Sequence, residues 1–219
     1  MRRTKQDAEK TRDAILAAAE CLFLQRGVAH TSLEQIARQA GVTRGAVYWH
    51  FKNKADLFHA MLNQVRLPAE LIASQIRQCD PENPLIGLRS ICIHTLSALL
   101  HDERKRRIFF ILKRRCEFTA ELKEAELQHE AFINEVIEMV TGLFATPEVS
   151  RQLRPGITAQ IAARTFHFMF TGMLGEWLRD PQLFDIRNSE AYFDTVLHGL
   201  LLQWQPPASS SCPPAQFGS

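Results

Sequence analysis

Residues 31–51 read TSLEQIARQAGVTRGAVYWHF, and this stretch decides the fold. Leu33, Ile36, Ala37 and Ala40 recur at the three- and four-residue spacing of one helix face, and Gly41 ends the run. Thr31, followed three residues later by Glu34, has the form of a capping box at its start. Past the glycine turn, Thr43 can cap a second short helix to about Phe51, with Val47 and Phe51 as its buried stripe. Two short helices joined by a tight glycine turn make a helix-turn-helix. At about 100° per residue from Val47, Gly45, Tyr48 and Trp49 all point away from the buried side. Two large aromatic side chains with polar edges, both turned outward, call for a partner surface.

The major groove of double-stranded DNA is such a surface. A recognition helix presents its N-terminal residues to base edges, which places Thr43 and Arg44 to read bases, Arg44 with the fork that matches guanine O6 and N7. Gly45 allows close backbone approach, and Tyr48 can meet a phosphate or a thymine methyl beside Trp49. His50 and Lys54 can reach phosphates, as can Ser32 at the start of the preceding helix. The competing reading is three small packed helices with a solvated basic face, because this geometry also occurs in domains that bind no DNA. Charge leans toward nucleic acid. Residues 1–54 carry ten Lys/Arg against five Asp/Glu, while the whole chain has a formal net charge of only +2.

Working outward, Ile15, Ala18, Ala19, Leu22 and Phe23 fall on one face of a first helix stopped by Gly27. Asn53 can cap a fourth helix that runs long toward Gln78 with a bend near Pro68. The stretch CDPENPL, residues 79–85, is a connector dense in Pro, Asp and Asn. Beyond it the periodicity predicts helices at about 85–101, 103–116, 120–145, 157–179 and 189–204. The expected fold is therefore all-α, with about nine helices: a three-helix helix-turn-helix head, a long linking helix, and a helical ligand-binding and dimerisation body. The corresponding domains are 1–53 for DNA binding and 54–204 for sensing and dimerisation, with 205–219, rich in Pro and Ser, as a disordered tail.

The block GVAHTSLEQIARQAGVTRGAVYWHFKNKADLF, residues 27–58, closely resembles the DNA-binding head of the TetR family of transcriptional repressors. The resemblance implies Ser32, Thr43, Arg44, Gly45, Tyr48, Trp49, His50 and Lys54 as the DNA-contacting set. The opening RRTK and the later ILKRRCEFT, residues 111–119, further resemble repressors of multidrug efflux pumps of Gram-negative bacteria. The resemblance also implies a homodimer on near-palindromic operator DNA, released by a small apolar or amphipathic ligand. A regulator, repressor or activator, of a different operon is the alternative.

Three helix faces of the body could converge on a ligand pocket, apolar walls with a few polar groups being its usual make-up. Leu88, Cys92 and Thr95 lie on one, Phe109, Leu112, Lys113 and Cys116 on a second, and Val136 and Val140 on a third. His167, Phe170, Thr171 and Leu174, at helical spacing, add the most suggestive stripe, although every one of these residues can equally be plain core. For the dimer seam the candidates are Gly172 and Gly175, which admit a neighbouring backbone, and Phe193, Val196, Leu197, Leu200, Leu201 and Trp204 on the last helix.

The sequence also sets bounds. No apolar run follows the basic N-terminus, so no signal peptide is expected, and no stretch approaches an uninterrupted span of about 20 apolar residues. A cytoplasmic protein without membrane association is expected. The five cysteines (Cys21, Cys79, Cys92, Cys116 and Cys212) are scattered without metal-ligand spacing, which reads as reduced thiols, with no metal and no cofactor. Neither a nucleophile motif nor a phosphate-binding glycine loop is present, so an enzyme is not expected; a helical adaptor that binds only protein remains the other rival.

Overall fold

The computed structural model describes residues 5–80, 82–182 and 184–207. The opening residues of the RRTK motif, Cys212, and the expected tail from residue 208 onward lie outside them. Among the described residues eleven α-helices follow one another: α1 (Lys5–Arg26), α2 (Leu33–Gln39), α3 (Arg44–His50), α4 (Lys54–Asn63), α5 (Ala69–Cys79), α6 (Pro84–His101), α7 (Glu103–Phe110), α8 (Lys123–Phe144), α9 (Pro147–Ser150), α10 (Ala159–Arg179) and α11 (Ser189–Leu200). A π-helical turn, Ile111–Arg115, follows α7, and short 3₁₀ turns precede α8 and α11. Among the described residues there is no β-strand, only an isolated bridge between Leu153 and Leu201.

Two compact units partition the chain. Unit 1 is residues 1–66 with 104–130; unit 2 is 67–103 with 131–219. In unit 1, α1 turns inward the stripe read from the sequence, Ile15, Ala18, Ala19, Leu22 and Phe23, and buries Leu16 beside it. That stripe packs on Ile36, Val47, Phe51 and Phe58, with Ile108, Ile111 and Leu122 supplied by the second segment. Phe23 and Phe58 meet edge to face at 6.0 Å.

Local chemistry sets the boundaries in this unit. Helix α1 stops because Gly27 takes φ +86°, the left-handed region, and an added Cβ there would also stand 3.3 Å from the Arg115 carbonyl. The cap of α2 is Ser32 rather than Thr31. Ser32 accepts from the Gln35 amide, and the Gln35 side chain accepts from the Ser32 amide, a complete capping box one residue later than expected. Thr31 is taken out of contention because its hydroxyl donates to the Gly27 carbonyl at 2.8 Å. Gly41 then closes α2 in a Schellman motif, with Val42 N–H on the Ala37 carbonyl and Gly41 N–H on that of Arg38. Thr43 and Asn53 cap α3 and α4 as expected.

The long bent fourth helix is instead two helices. It ends at Asn63, and α5 begins after Pro68, because proline disfavours helical geometry in the residue before it and offers no N–H of its own.

In unit 2, α5 and α6 pack so tightly that a Cβ on Gly87 would fall 2.3 Å from the Ile76 carbonyl oxygen. Helix α6 is apolar enough to cross a membrane by length and composition alone, but it behaves as a core helix. Leu85, Leu88, Leu96 and Leu99 are buried, and its one arginine, Arg89, is 2% exposed and bidentate on Asp194 at 2.8 and 2.9 Å. Glu190 accepts a third bond from Arg89, and Trp204 donates to Asp194. Although burial opposes it, these bonds hold Asp194 below the usual carboxylate range.

Helix α11 ends at Leu200, short of the expected 204, where Leu201 turns extended and the 152–154 backbone pairs with it. Phe193, Leu197, Leu200, Leu201 and Trp204, read from the sequence as dimer seam, are all buried within unit 2, with Phe193 stacked on Phe166 at 5.2 Å. Their apolar stripe is consumed by the chain's own core, and Val196 is half-buried.

Candidate DNA-binding site and sensor helices

Helix α3 has the phase the periodicity demands. Val47 and Phe51 are buried at 0% and 2% exposure, and Tyr48 and Trp49 stand out at 46% and 73%. Trp49 packs edge-on against the partly buried His50 at 4.6 Å. Thr43 and Arg44 are exposed at the N-terminal end, with the Thr43 side chain accepting from the Ala46 amide. The Arg44 guanidinium lies over the Tyr48 ring, 5.4 Å from its centroid, and donates to the Tyr48 oxygen at 3.4 Å. This hydrogen bond raises the Arg44 pKa further, so the cation is permanent. Gly45 is exposed, and a Cβ there would meet only Thr43 Oγ1, at 3.9 Å; nothing in the fold requires glycine at that position. Ser32 is exposed beside this helix, its oxygen accepting from the Gln35 amide. Seven of the eight DNA candidates therefore sit on or beside one outward face.

Lys54 does not. It is 3% exposed, and its ammonium is engaged by Glu121 Oε2 at 2.7 Å, the Thr31 carbonyl at 3.0 Å and the Ala29 carbonyl at 3.3 Å. The expectation of a phosphate contact is corrected. Lys54 ties α4 beneath the α1–α2 turn, and Asn53 adds a bond to Glu124 from the same end of α4.

Two charged residues that sequence reading passed over hold the same unit together. Glu20, at the edge of the apolar stripe of α1, is 5% exposed and bonded to Arg104 and Arg107. Arg12 lies over the Phe51 ring at 5.3 Å, joining α1 to the end of the recognition helix. The only signal for Glu20 was an acid on an otherwise apolar face; for Arg12 there was none.

The thirteen ligand candidates divide between the units. Phe109, Leu112, Lys113 and Cys116 belong to unit 1, where Leu112 is part of the core, Phe109 and Cys116 pack against it and Lys113 is exposed. Burial pushes the Cys116 thiol up to about 12. The other nine lie in unit 2. Leu88, Val140 and Leu174 are buried, and Cys92, Thr95, Val136, His167, Phe170 and Thr171 are partly buried. Both threonine hydroxyls donate to their own helices, Thr95 to Ile91 and Thr171 to His167, which leaves their oxygens free only to accept. Cys21, Cys92 and Cys116 carry free thiols. Gly172 and Gly175 face open space, since an added Cβ meets nothing within 4 Å.

Two family patterns match the chain. Residues 15–61 match the bacterial regulatory proteins of the tetR family, and residues 83–202 match the C-terminal region of MAATS-type transcriptional repressors. The chain is 37% identical to the HTH-type transcriptional repressor BepR of Brucella suis, with 91% of each chain covered. Among solved structures it is similar to NalD of Pseudomonas aeruginosa, the secondary repressor of the MexAB-OprM multidrug efflux pump, at 51% identity and TM-score 0.87, over 91% of this chain and 100% of that one. The complex of SmeT with triclosan aligns at 30% identity and TM-score 0.77, covering 93% and 98% of the two chains.

Proposed function

The chain belongs to the TetR family of bacterial regulatory proteins, and from that premise we propose that it represses a multidrug efflux pump operon as a homodimer and leaves its operator when a small apolar ligand binds. One observation carries the reading: α3 fixes its inner face in the core and turns Arg44, Tyr48 and Trp49 outward, with no use for them inside the chain's own core. The similarity to NalD and BepR supports the choice of repression and of efflux.

The proposed dimer uses the outer face of α10. Ile161 (48% exposed), Phe168 (65%), Gly172 and Gly175 fall on one side of that helix, and Tyr192 and Leu202 are exposed nearby in sequence on and after α11. Glycine costs a helix interior about 1 kcal/mol relative to alanine, and neither glycine is required by the chain's own packing; a partner's backbone supplies the reason. Two heads about 34–36 Å apart enter successive major grooves of a near-palindromic site. A ligand that prefers a body with a different head spacing weakens operator binding by its differential affinity. Thr95 and Thr171, able only to accept, suit an apolar ligand with a hydrogen-bond donor, such as the phenol of the triclosan that SmeT binds. The need to reach chromosomal operator DNA supports a cytoplasmic location.

The test is fluorescence anisotropy with DNA from upstream of the chain's own gene, followed by triclosan titration of the complex. Salt-sensitive binding saturating at one or more dimers per site, reversed by triclosan, is expected. Binding no tighter than to scrambled DNA of equal length would sink the repressor reading.

A further inference from the structure

We infer that Glu20 is a positioning residue for operator binding, its buried carboxylate clamping the first helix of the head to α7. The inference rests on the repressor reading above. Each carboxylate oxygen takes one guanidinium: Oε1 accepts from Arg107 Nε at 2.6 Å and Oε2 from Arg104 Nε at 3.2 Å. Arg104 also donates to Gln64 Oε1 at 2.9 Å. Gln64 is the C-cap of α4, so Arg104 of α7 links the acid on α1 to the end of α4. Burying a carboxylate is costly, and a well-packed apolar residue would stabilise such a site at least as well. The neighbours of Glu20 one turn away on either side, Leu16 and Phe23, show that this face of α1 takes apolar residues. An acid there serves to fix which surface of α7 lies against α1.

The clamp stands where it can matter. Unit 1 is made of two stretches of chain, and the second begins at Arg104, immediately after the residues that close α6. Helix α7 then passes into the π-turn, a wide and poorly bonded geometry that recurs at functional sites. The last carbonyl of that turn, Arg115 O, accepts from Val28 N–H at 2.9 Å, just where α1 gives way to α2. The second segment therefore grips α1 twice, by a charged clamp at Glu20 and by a backbone bond at Val28. The Thr31–Gly27 bond and the capped helix α2 link the second grip to the recognition helix, alongside the direct packing of α1 on Val47 and Phe51. The guanidinium-bearing side chains are 46% and 37% exposed, so opening the clamp returns both cations to water and strands only the acid.

Glu20→Gln separates geometry from charge. Removing one negative charge from each head favours DNA by long-range electrostatics. A fall in operator affinity therefore runs against the charge change and reports position. We expect about a tenfold loss for Glu20→Gln and a similar loss for Arg107→Gln, in variants shown by circular dichroism to be fully folded at the assay temperature, with the log–log salt slope unchanged. Should Glu20→Gln not fold, Arg107→Gln is decided by its salt slope, because its lost positive charge also disfavours DNA and only an unchanged slope then reports position. Wild-type operator affinity in folded variants of lowered Tm would make Glu20 a purely structural pair and overturn the inference. A loss accompanied by a shallower salt slope would overturn it as well, since that is the mark of a missing phosphate contact. Wild-type protein that ignores its promoter DNA refutes the repressor reading itself, whereas wild-type binding with unaltered variants refutes only the clamp.

Discussion

Replacing Lys54 by methionine keeps the length of the side chain and removes its charge, and the structure sets the size of the effect. The ammonium donates to the Thr31 and Ala29 carbonyls at 3.0 and 3.3 Å and pairs with Glu121 at 2.7 Å, at 3% exposure. Hydrogen bonds to charged groups contribute about 1.5–3 kcal/mol each, and the longer bond lies toward the weak end. Glu121 is 59% exposed, so on losing its partner it is rehydrated rather than stranded, and the full cost of a broken buried pair does not apply. The sum is about 3–4.5 kcal/mol, which for a chain of this size lowers Tm by about 6–18 °C. Scanning calorimetry measures the stability term, and operator titrations at several salt concentrations measure the other. If Lys54 met a phosphate, removing that charge from both subunits would reduce the log–log slope by about 2 per dimer. The structure requires the slope to stay where it is. A slope reduced by about 2 with an unmoved Tm would refute the burial argument and restore Lys54 to the DNA surface.

Tyr48→Ala should abolish specific operator binding while changing stability by about 0.5 kcal/mol or less, because the ring is 46% exposed; an unfolded variant would show that the α3 phase is wrong. Gly87→Ala puts a methyl 2.3 Å from a backbone oxygen that cannot step aside, and thermal unfolding should register a loss of about 1–3 kcal/mol. For His129, burial first, then Arg66 and Lys113, lower the pKa to about 4. The folded state therefore binds fewer protons than the unfolded one between about pH 6.5 and 4, and stability falls as pH falls through that window. His129→Asn should flatten that limb without removing it, since burial lowers the His59 pKa too; an unchanged slope would exclude His129 as a source. Phe168→Arg, at 65% exposure, should leave the monomer folded but weaken the proposed dimer about 10²–10⁴-fold, as two buried phenylalanines are lost per symmetric interface. Light scattering at micromolar concentration would find a stable wild-type-like dimer if α10 is not the seam.

Periodicity and local chemistry were legible in the sequence, and the partner of each exposed-looking group was not. The phase of α3 follows from Val47 and Phe51 alone, which is why the outward turn of Tyr48 and Trp49 could be read without coordinates. The caps at Thr43 and Asn53 are local in the same sense, each satisfied by an amide three residues on. Thr31 and Ser32 both fit a capping pattern, and the choice between them depended on the Gly27 carbonyl drawing off the Thr31 hydroxyl, a contact set by how α1 ends. Lys54 failed for a stronger reason. A lysine at the first turn of a helix looks like an anion ligand until Glu121, remote in sequence, is brought beside it.

The last helix shows the same limit from the apolar side. A stripe such as Phe193, Leu197, Leu200 states that something covers it, and here the cover is the chain itself, through Phe166 and the Arg89–Asp194–Trp204 network. The signs of a second copy lie instead where the chain leaves apolar surface uncovered, at Ile161 and Phe168, and where it spends glycine without needing the space, at Gly172 and Gly175. In the dimer proposed above, this face, costly to the single chain on both counts, is the one the partner covers.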